Sequence, residues 1–201
     1  MKKLFLLIFL FPVFSVLAQE KEVLTKLDAK ADFYGDLARQ IWSNPELGYL
    51  ETKSSQLLQK TLSDAGFKVT AGVAGIPTAF VAEYGSGKPV IGIMAEFDAL
   101  PGVSQEAVSV RKPVVVGGAG HACGHHLFGT ASVSAGIAIK ELIAAGKLKG
   151  TIKVYGTPAE EGGSGKVFLV REGLFNNLDA VIHWHPDDVN AITTTSALAN
   201  K

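Results

Sequence analysis

The sequence predicts a layered α/β domain in which helices pack on a partly parallel sheet. Three observations carry this. Short apolar runs alternate with helical patterns, as in α/β layers and unlike bundles or sandwiches. Acidic and imidazole residues stand just past the ends of three of those runs, the edge at which open α/β sheets hold ligands. The chain of 201 residues is also long enough for one domain with a real core.

Taken in order, the chain starts with Met1-Lys2-Lys3 and an apolar run from Leu4 to Leu17, broken by Pro12. Val16 and Ala18 are small residues at the right offsets for cleavage after Ala18. Residues 1–18 are therefore expected to be a signal peptide, and the protein to be exported to a periplasm or medium. An uncleaved anchor is the alternative, but the run is short for a membrane span. Without Lys2 and Lys3, 17 basic residues face 19 acidic ones. No concentrated basic surface is expected, which argues against a nucleic-acid partner. No membrane contact is expected after cleavage.

Residues 22–43 read as one amphipathic helix, with Val23, Leu27, Ala31, Tyr34, Ala38 and Ile41 at three- and four-residue steps. Asn44-Pro45 ends it, because the residue before proline avoids the helical region. A second helix is expected from Thr52 to Ala65, with Leu57, Leu58 and Leu62 inward and Gly66 closing it. Thr78–Tyr84 and Pro89–Glu96 read as strands joined through Gly85-Ser86-Gly87. Residues 125–145 form the next expected helix, followed by a strand at Thr151–Tyr155. A short helix over 164–173 and a strand at Ala180–Trp184 complete the pattern.

The chemistry is concentrated late in the chain. All five histidines lie in His121-Ala122-Cys123-Gly124-His125-His126 or in His183-Trp184-His185, and Cys123 is the sole cysteine. One cysteine forms no internal disulfide, so Cys123 is a core residue, a reactive thiol or a ligand. Thiolate, imidazole and carboxylate are the usual donors to zinc and its neighbours. Cys123 and His125, two apart, would face the same side of an extended segment, with Gly124 free to bend. Glu160 and Glu161 follow a strand end, and as adjacent residues their side chains should diverge. One could bind metal while the other handles protons. His185 ends its strand and is the better ligand candidate; His183 is expected to orient others, and His121 and His126 are ambiguous. Gly162-Gly163-Ser164-Gly165-Lys166 resembles a phosphate loop only faintly. Glu160 stands where glycine is required and Val167 where Ser or Thr is required.

Four ordered segments carry a resemblance: Glu96-Phe97-Asp98-Ala99-Leu100-Pro101, Gly120–His125, Pro158–Gly163 and Trp184-His185-Pro186. They resemble the metallopeptidase family of aminoacylases and glutamate carboxypeptidases, in its amidohydrolase branch. The resemblance implies the helix–sheet–helix catalytic domain of the dinuclear-metal exopeptidase type. It implies Cys123, His125, Glu161 and His185 as metal ligands, Glu160 as general base and later acid, and Asp98 as the acid that orients a ligating imidazole. It implies two divalent ions per complete site, zinc or manganese. The substrate would be a small N-acyl or aroyl amino acid or a dipeptide-like amide, and the full-length protein a homodimer. In other branches a metal-binding histidine stands where this chain has Glu96, and an aspartate where it has His126.

Family members are longer, with an inserted lid or dimerisation domain and a further histidine ligand. Residues 19–195 are accordingly expected to be the amino-terminal part of the catalytic domain, incomplete at its C-terminus, and 196–201 the start of the lid. Two other classes follow from the same residues: a metal-binding fragment without turnover, and a thiol enzyme using Cys123 as nucleophile.

Overall fold

A mixed five-stranded sheet, in the order β1-β2-β4-β3-β5, organises the chain. The structure is a computed structural model and describes residues 19–189 and 191, so the expected signal peptide and lid segment lie outside the described residues. The strands are β1 (Lys68–Ala71), β2 (Phe80–Ser86), β3 (Val90–Ala95), β4 (Gly150–Gly156) and β5 (Ala180–Ile182). β3 runs parallel to both β4 and β5, whereas β2 is antiparallel to β4 and to β1. The helices are α1 (residues 19–28), α2 (Ala31–Trp42), α3 (Thr52–Asp64), α4 (His125–Ala144), α5 (Glu160–Gly163) and α6 (Gly165–Arg171).

Two expectations need correction. The single helix over 22–43 is two helices, interrupted at Ala29-Lys30. No glycine or proline marks the break. Beyond it, Tyr34, Leu37, Ala38 and Ile41 of α2 turn into the core, while Ala31 stays exposed. The second correction concerns β2 and β3. They follow one another in sequence but do not pair, because β4 lies between them. The crossover β3–α4–β4 returns the chain parallel to β3, as such units require. β4 thereby fills the slot that a hairpin would have used. Strand β1 carries only one half-buried residue in an exposed run, a pattern too short and polar to read from sequence.

The alternation of each strand separates two cores. On one face Phe80, Ala82, Ile93, Ala95, Ile152 and Val154 pack with Leu37 and Ile41 of α2, Leu58 and Leu62 of α3, and Val133 and Ile137 of α4. On the other face Tyr155 packs with Ile76, Ala79 and Leu169 of α6. Helices thus cover both faces, the second more thinly. α4 lies close against β4 because residue 136 is glycine. A Cβ there would stand 2.5 Å from Val154 Cγ2.

Because β3, β4 and β5 are mutually parallel, their carboxyl ends share one edge. The chain leaving β3 is then folded back by a bridge in which the Leu100 and Gly120 backbones exchange hydrogen bonds, both 3.0 Å. That bridge closes the 101–119 excursion and returns residues 121–125 beside Asp98.

Replacing Gly136 by alanine sets two effects against each other. Alanine gains up to about 1 kcal/mol of helix propensity, whereas overpacking a filled core costs about 1–3 kcal/mol. Urea unfolding should show G136A destabilised, and the double variant G136A/V154A should recover part of the loss.

Candidate metal centre

Asp98 stands two residues beyond Glu96 on the strand end of β3 and is buried. Its two oxygens reach two other elements. Oδ1 accepts from His125 Nδ1 at 3.0 Å, and Oδ2 accepts from the Glu161 backbone N–H at 3.0 Å. The first contact puts the imidazole proton on Nδ1 and leaves the Nε2 lone pair facing inward. The second fixes the turn that carries both glutamates.

Cys123 and His125 do not sit in an extended segment as expected. Residues 122–123 form a turn, and Gly124 adopts a left-handed conformation, φ 79°, as the N-cap of α4. A Cβ at position 124 would also meet Pro186 at 3.1 Å. Glycine therefore serves twice here: it permits the turn and lets the 183–186 segment close on Cys123. Cys123 Sγ lies 3.3 Å from His185 Nε2, while His185 Nδ1 donates to the Pro186 carbonyl at 2.9 Å. Trp184 Nε1 donates to Ser132 Oγ at 3.1 Å and pins this segment to α4.

Glu160 and Glu161 do not diverge. Each places one oxygen 3.9 Å from His125 Nε2. They occupy the single turn of α5, between two left-handed residues, Ala159 (φ 57°) and Ser164 (φ 53°). A side-chain-bearing residue in that region costs about 1–3 kcal/mol and persists only where its surroundings hold it. Here Glu51 supplies the hold. It is fully buried, accepts from the Ala159 N–H at 2.8 Å and accepts from Thr78 Oγ1 at 3.1 Å. Tyr49 adds a hydroxyl hydrogen bond to the Gly163 carbonyl. Sequence reasoning missed both residues, which lie in the loop after Asn44-Pro45 and more than a hundred positions from their partners.

Two donor groups result. Cys123, His125 and His185 offer one atom each, all within 4.8 Å of one another, and Glu96, His125 and Glu160 do the same. Of the expected ligands, Glu161 belongs to neither group. It lies beside the Cys123 thiol, and its buried Oε1 has no hydrogen-bond partner. His125 Nε2 is likewise buried and unpartnered; Glu96 Oε2 is 3.1 Å away but off the hydrogen-bond direction. Unpartnered oxygen and nitrogen atoms beside a thiol are what a divalent cation satisfies, so the donor set fits such an ion. Glu96, noted in the sequence only for standing in place of a histidine, is the acid that sequence reasoning left out.

The electrostatics agree. Burial pushes the Cys123 thiol up to about 12, and Glu161, Glu160 and Glu96 add to the shift. A neutral thiol is the opposite of an activated nucleophile, which counts against the thiol-enzyme reading. Burial works against a charged His125, but the hydrogen bond and charge of Asp98, with Glu96 and Glu161, outweigh it and raise its pKa. Burial works against the Glu96 carboxylate too, yet His183 and Lys166 leave its pKa lowered. His183 Nε2 donates to Glu96 Oε1 at 3.2 Å. His121 and His126 enter neither group. Their rings lie 5.4 Å apart, with Trp42 against His126, and burial, reinforced by neighbouring imidazoles, lowers both to about 4.

A sequence model of peptidase family M20/M25/M40 matches residues 92–195, just over half of the chain. The chain belongs to that family. Among curated M20 relatives, one of the subunits of the p-aminobenzoyl-glutamate hydrolase of Escherichia coli (strain K12) is 46% identical over 175 residues, 87% of this chain and 36% of the relative. The Xaa-Arg dipeptidase of Mus musculus is 33% identical over 83% of this chain and 38% of its own length. This M20 chain thus spans little more than a third of the curated relatives it matches. A solved structure, the Bacillus subtilis YXEP protein, described as a dinuclear metal binding peptidase from the M20 family, superposes with a TM-score of 0.69 at 26% identity. The match covers 80% of this chain and 44% of that one.

Substitutions at Glu51 test the clamp on the glutamate turn. Glu51→Ala leaves the Ala159 N–H and the Thr78 hydroxyl buried without partners, at about 1–3 kcal/mol each. Desolvation dominates the balance at Glu51 and raises its pKa, so Glu51→Gln, which carries no charge to desolvate, should cost less than alanine. Urea unfolding of the two variants should rank them in that order.

Proposed function

We propose that this chain carries the ion-holding and proton-transferring part of a metal-dependent amidohydrolase. The observation that carries the reading is the meeting of the Cys123 thiol, His125 Nε2 and His185 Nε2 within 4.8 Å, beside two glutamates on one turn. Cys123, His125, His185 and Glu161 would hold a divalent ion, zinc or manganese, and the complete site of the full-length protein would hold two. A divalent ion bound there supplies Lewis acidity and lowers the pKa of water toward neutrality.

The chain's own residues do the rest. Asp98 fixes the His125 ring and tautomer through Nδ1, so that Nε2 is presented as a donor to the ion. Glu160, with its side chain 41% exposed, has the access to take a proton from the attacking water and return it to the leaving amine. The Asp98 contact to the Glu161 N–H holds the Glu160 carboxylate in reach through the shared turn. The substrate would be a small N-acyl or aroyl amino acid or a dipeptide-like amide. The names of the relatives, a p-aminobenzoyl-glutamate hydrolase and an Xaa-Arg dipeptidase, support that class. Export through residues 1–18, and homodimer formation by the full-length protein, belong to the same proposal.

A second reading, an ion-binding chain without turnover, is favoured by the share of its relatives' length that the chain spans. Supplying the purified chain with zinc or manganese and assaying amino acid release from N-acyl amino acids separates the two. Turnover supports the first reading; bound metal without turnover supports the second. In a form that turns over, Glu160→Gln should keep its metal within about twofold while the rate falls by about 10²–10⁴. Near-normal turnover would remove Glu160 as the base. Cys123 should be alkylated by iodoacetamide far more slowly with zinc present than after chelation; equal rates would remove Cys123 as a ligand.

A further inference from the structure

Glu96 is 2% exposed and its two oxygens serve different partners. Oε1 accepts from the Lys166 ammonium at 2.5 Å and from His183 at 3.2 Å. Oε2 faces His125 Nε2 at 3.1 Å. Lys166 stands in the first turn of α6 and reaches into the site with its side chain 26% exposed. Four carboxylates converge here: Glu96, Asp98, Glu160 and Glu161. Among the described residues, Lys166 is the one lysine or arginine within ion-pair distance of any of them.

The two donor groups share a single atom, His125 Nε2, because Nδ1 is committed to Asp98. One lone pair serves one ion. An ion held with Cys123 and His185 therefore leaves the second group with two carboxylates, and the charge of Glu96 is already met by an ammonium. A second cation entering at Glu96 would stand beside Lys166, where like charges repel.

We propose that Lys166 is a built-in counter-cation: its ammonium keeps Glu96 from coordinating metal, so the chain retains one divalent ion at Cys123, His125 and His185. A second ion is admitted at Glu96 and Glu160 only when the ammonium is removed. The position of the first ion rests on the function proposed above. The competing account, a staple that merely holds α6 to β3, predicts a loss of stability on removing Lys166 and no change in metal binding.

Equilibrium dialysis of the whole chain against Zn²⁺ counts ions, and the thiolate-to-metal absorption of Co²⁺ reports the Cys123 position separately. The parent and Lys166→Arg should bind one ion per chain. Lys166→Met should bind two, the second at least about tenfold tighter than any second ion in the parent, once the adjacent charge is gone. Adding Glu96→Gln to Lys166→Met should return the count to one. Unchanged second-ion binding in folded Lys166→Met would overturn the proposal, as would an equal gain in Lys166→Arg. If the methionine variant does not fold, Lys166→Gln carries the same comparison. Absence of the Co²⁺–thiolate band would sink the Cys123 position, whereas the effect of removing Lys166 is read from the ion count, so the two failures look different.

Discussion

The buried carboxylate of Asp98 is the constraint on which the site depends. One oxygen fixes the first residue of α4 and the other fixes the turn of α5. Three pieces of chain, the end of β3, the start of α4 and the Glu160-Glu161 turn, are thereby tied at one point. Hydrogen bonds to a charged acceptor are the stronger kind, and burial makes leaving either donor unpaired expensive. The parallel arrangement of β3, β4 and β5 brings these pieces to one edge. Asp98 sets their orientation within it.

Around that point the chain accumulates negative charge that it balances only in part. Four carboxylates and a thiol face His125, and the single ammonium present is engaged with Glu96. Such an arrangement is costly in isolation, because buried charges need partners. It becomes favourable when a cation is bound, which gives a physical reason for the high pKa of the Cys123 thiol and for the unpartnered atoms of His125 and Glu161. Strain follows the same logic. Ala159 and Ser164, both left-handed, bracket the turn that presents the glutamates, and Glu51 and Tyr49 restrain it from behind. The rigid second layer serves the geometry of the first.

Much of this was legible in the sequence, and what was legible was local. Apolar periodicity marked α3, α4, β4 and β5 near their observed bounds, because side-chain spacing of 3.6 and 2 survives folding. Donor type marked Cys123, His125 and His185, because few residues offer sulfur or imidazole. The parallel strands put the acids at the edge that strand ends implied. Conversely, the break at Ala29-Lys30 carries no local signal. The insertion of β4 between β2 and β3 depends on a crossover of more than fifty residues. The convergence of Glu160 and Glu161 depends on a turn that neither residue specifies.

The sequence by itself determined the class of fold and the chemical kind of donors, since both follow from residue type and from neighbours within one or two turns. Only the tertiary structure decided which oxygen meets which nitrogen: Glu96 with Lys166 and His183, Asp98 with both His125 and Glu161, Glu51 with Ala159. These partners lie 27 to 108 positions apart or more than one element away. Burial and charge select such pairs only after the layers have packed, and no local pattern encodes that selection.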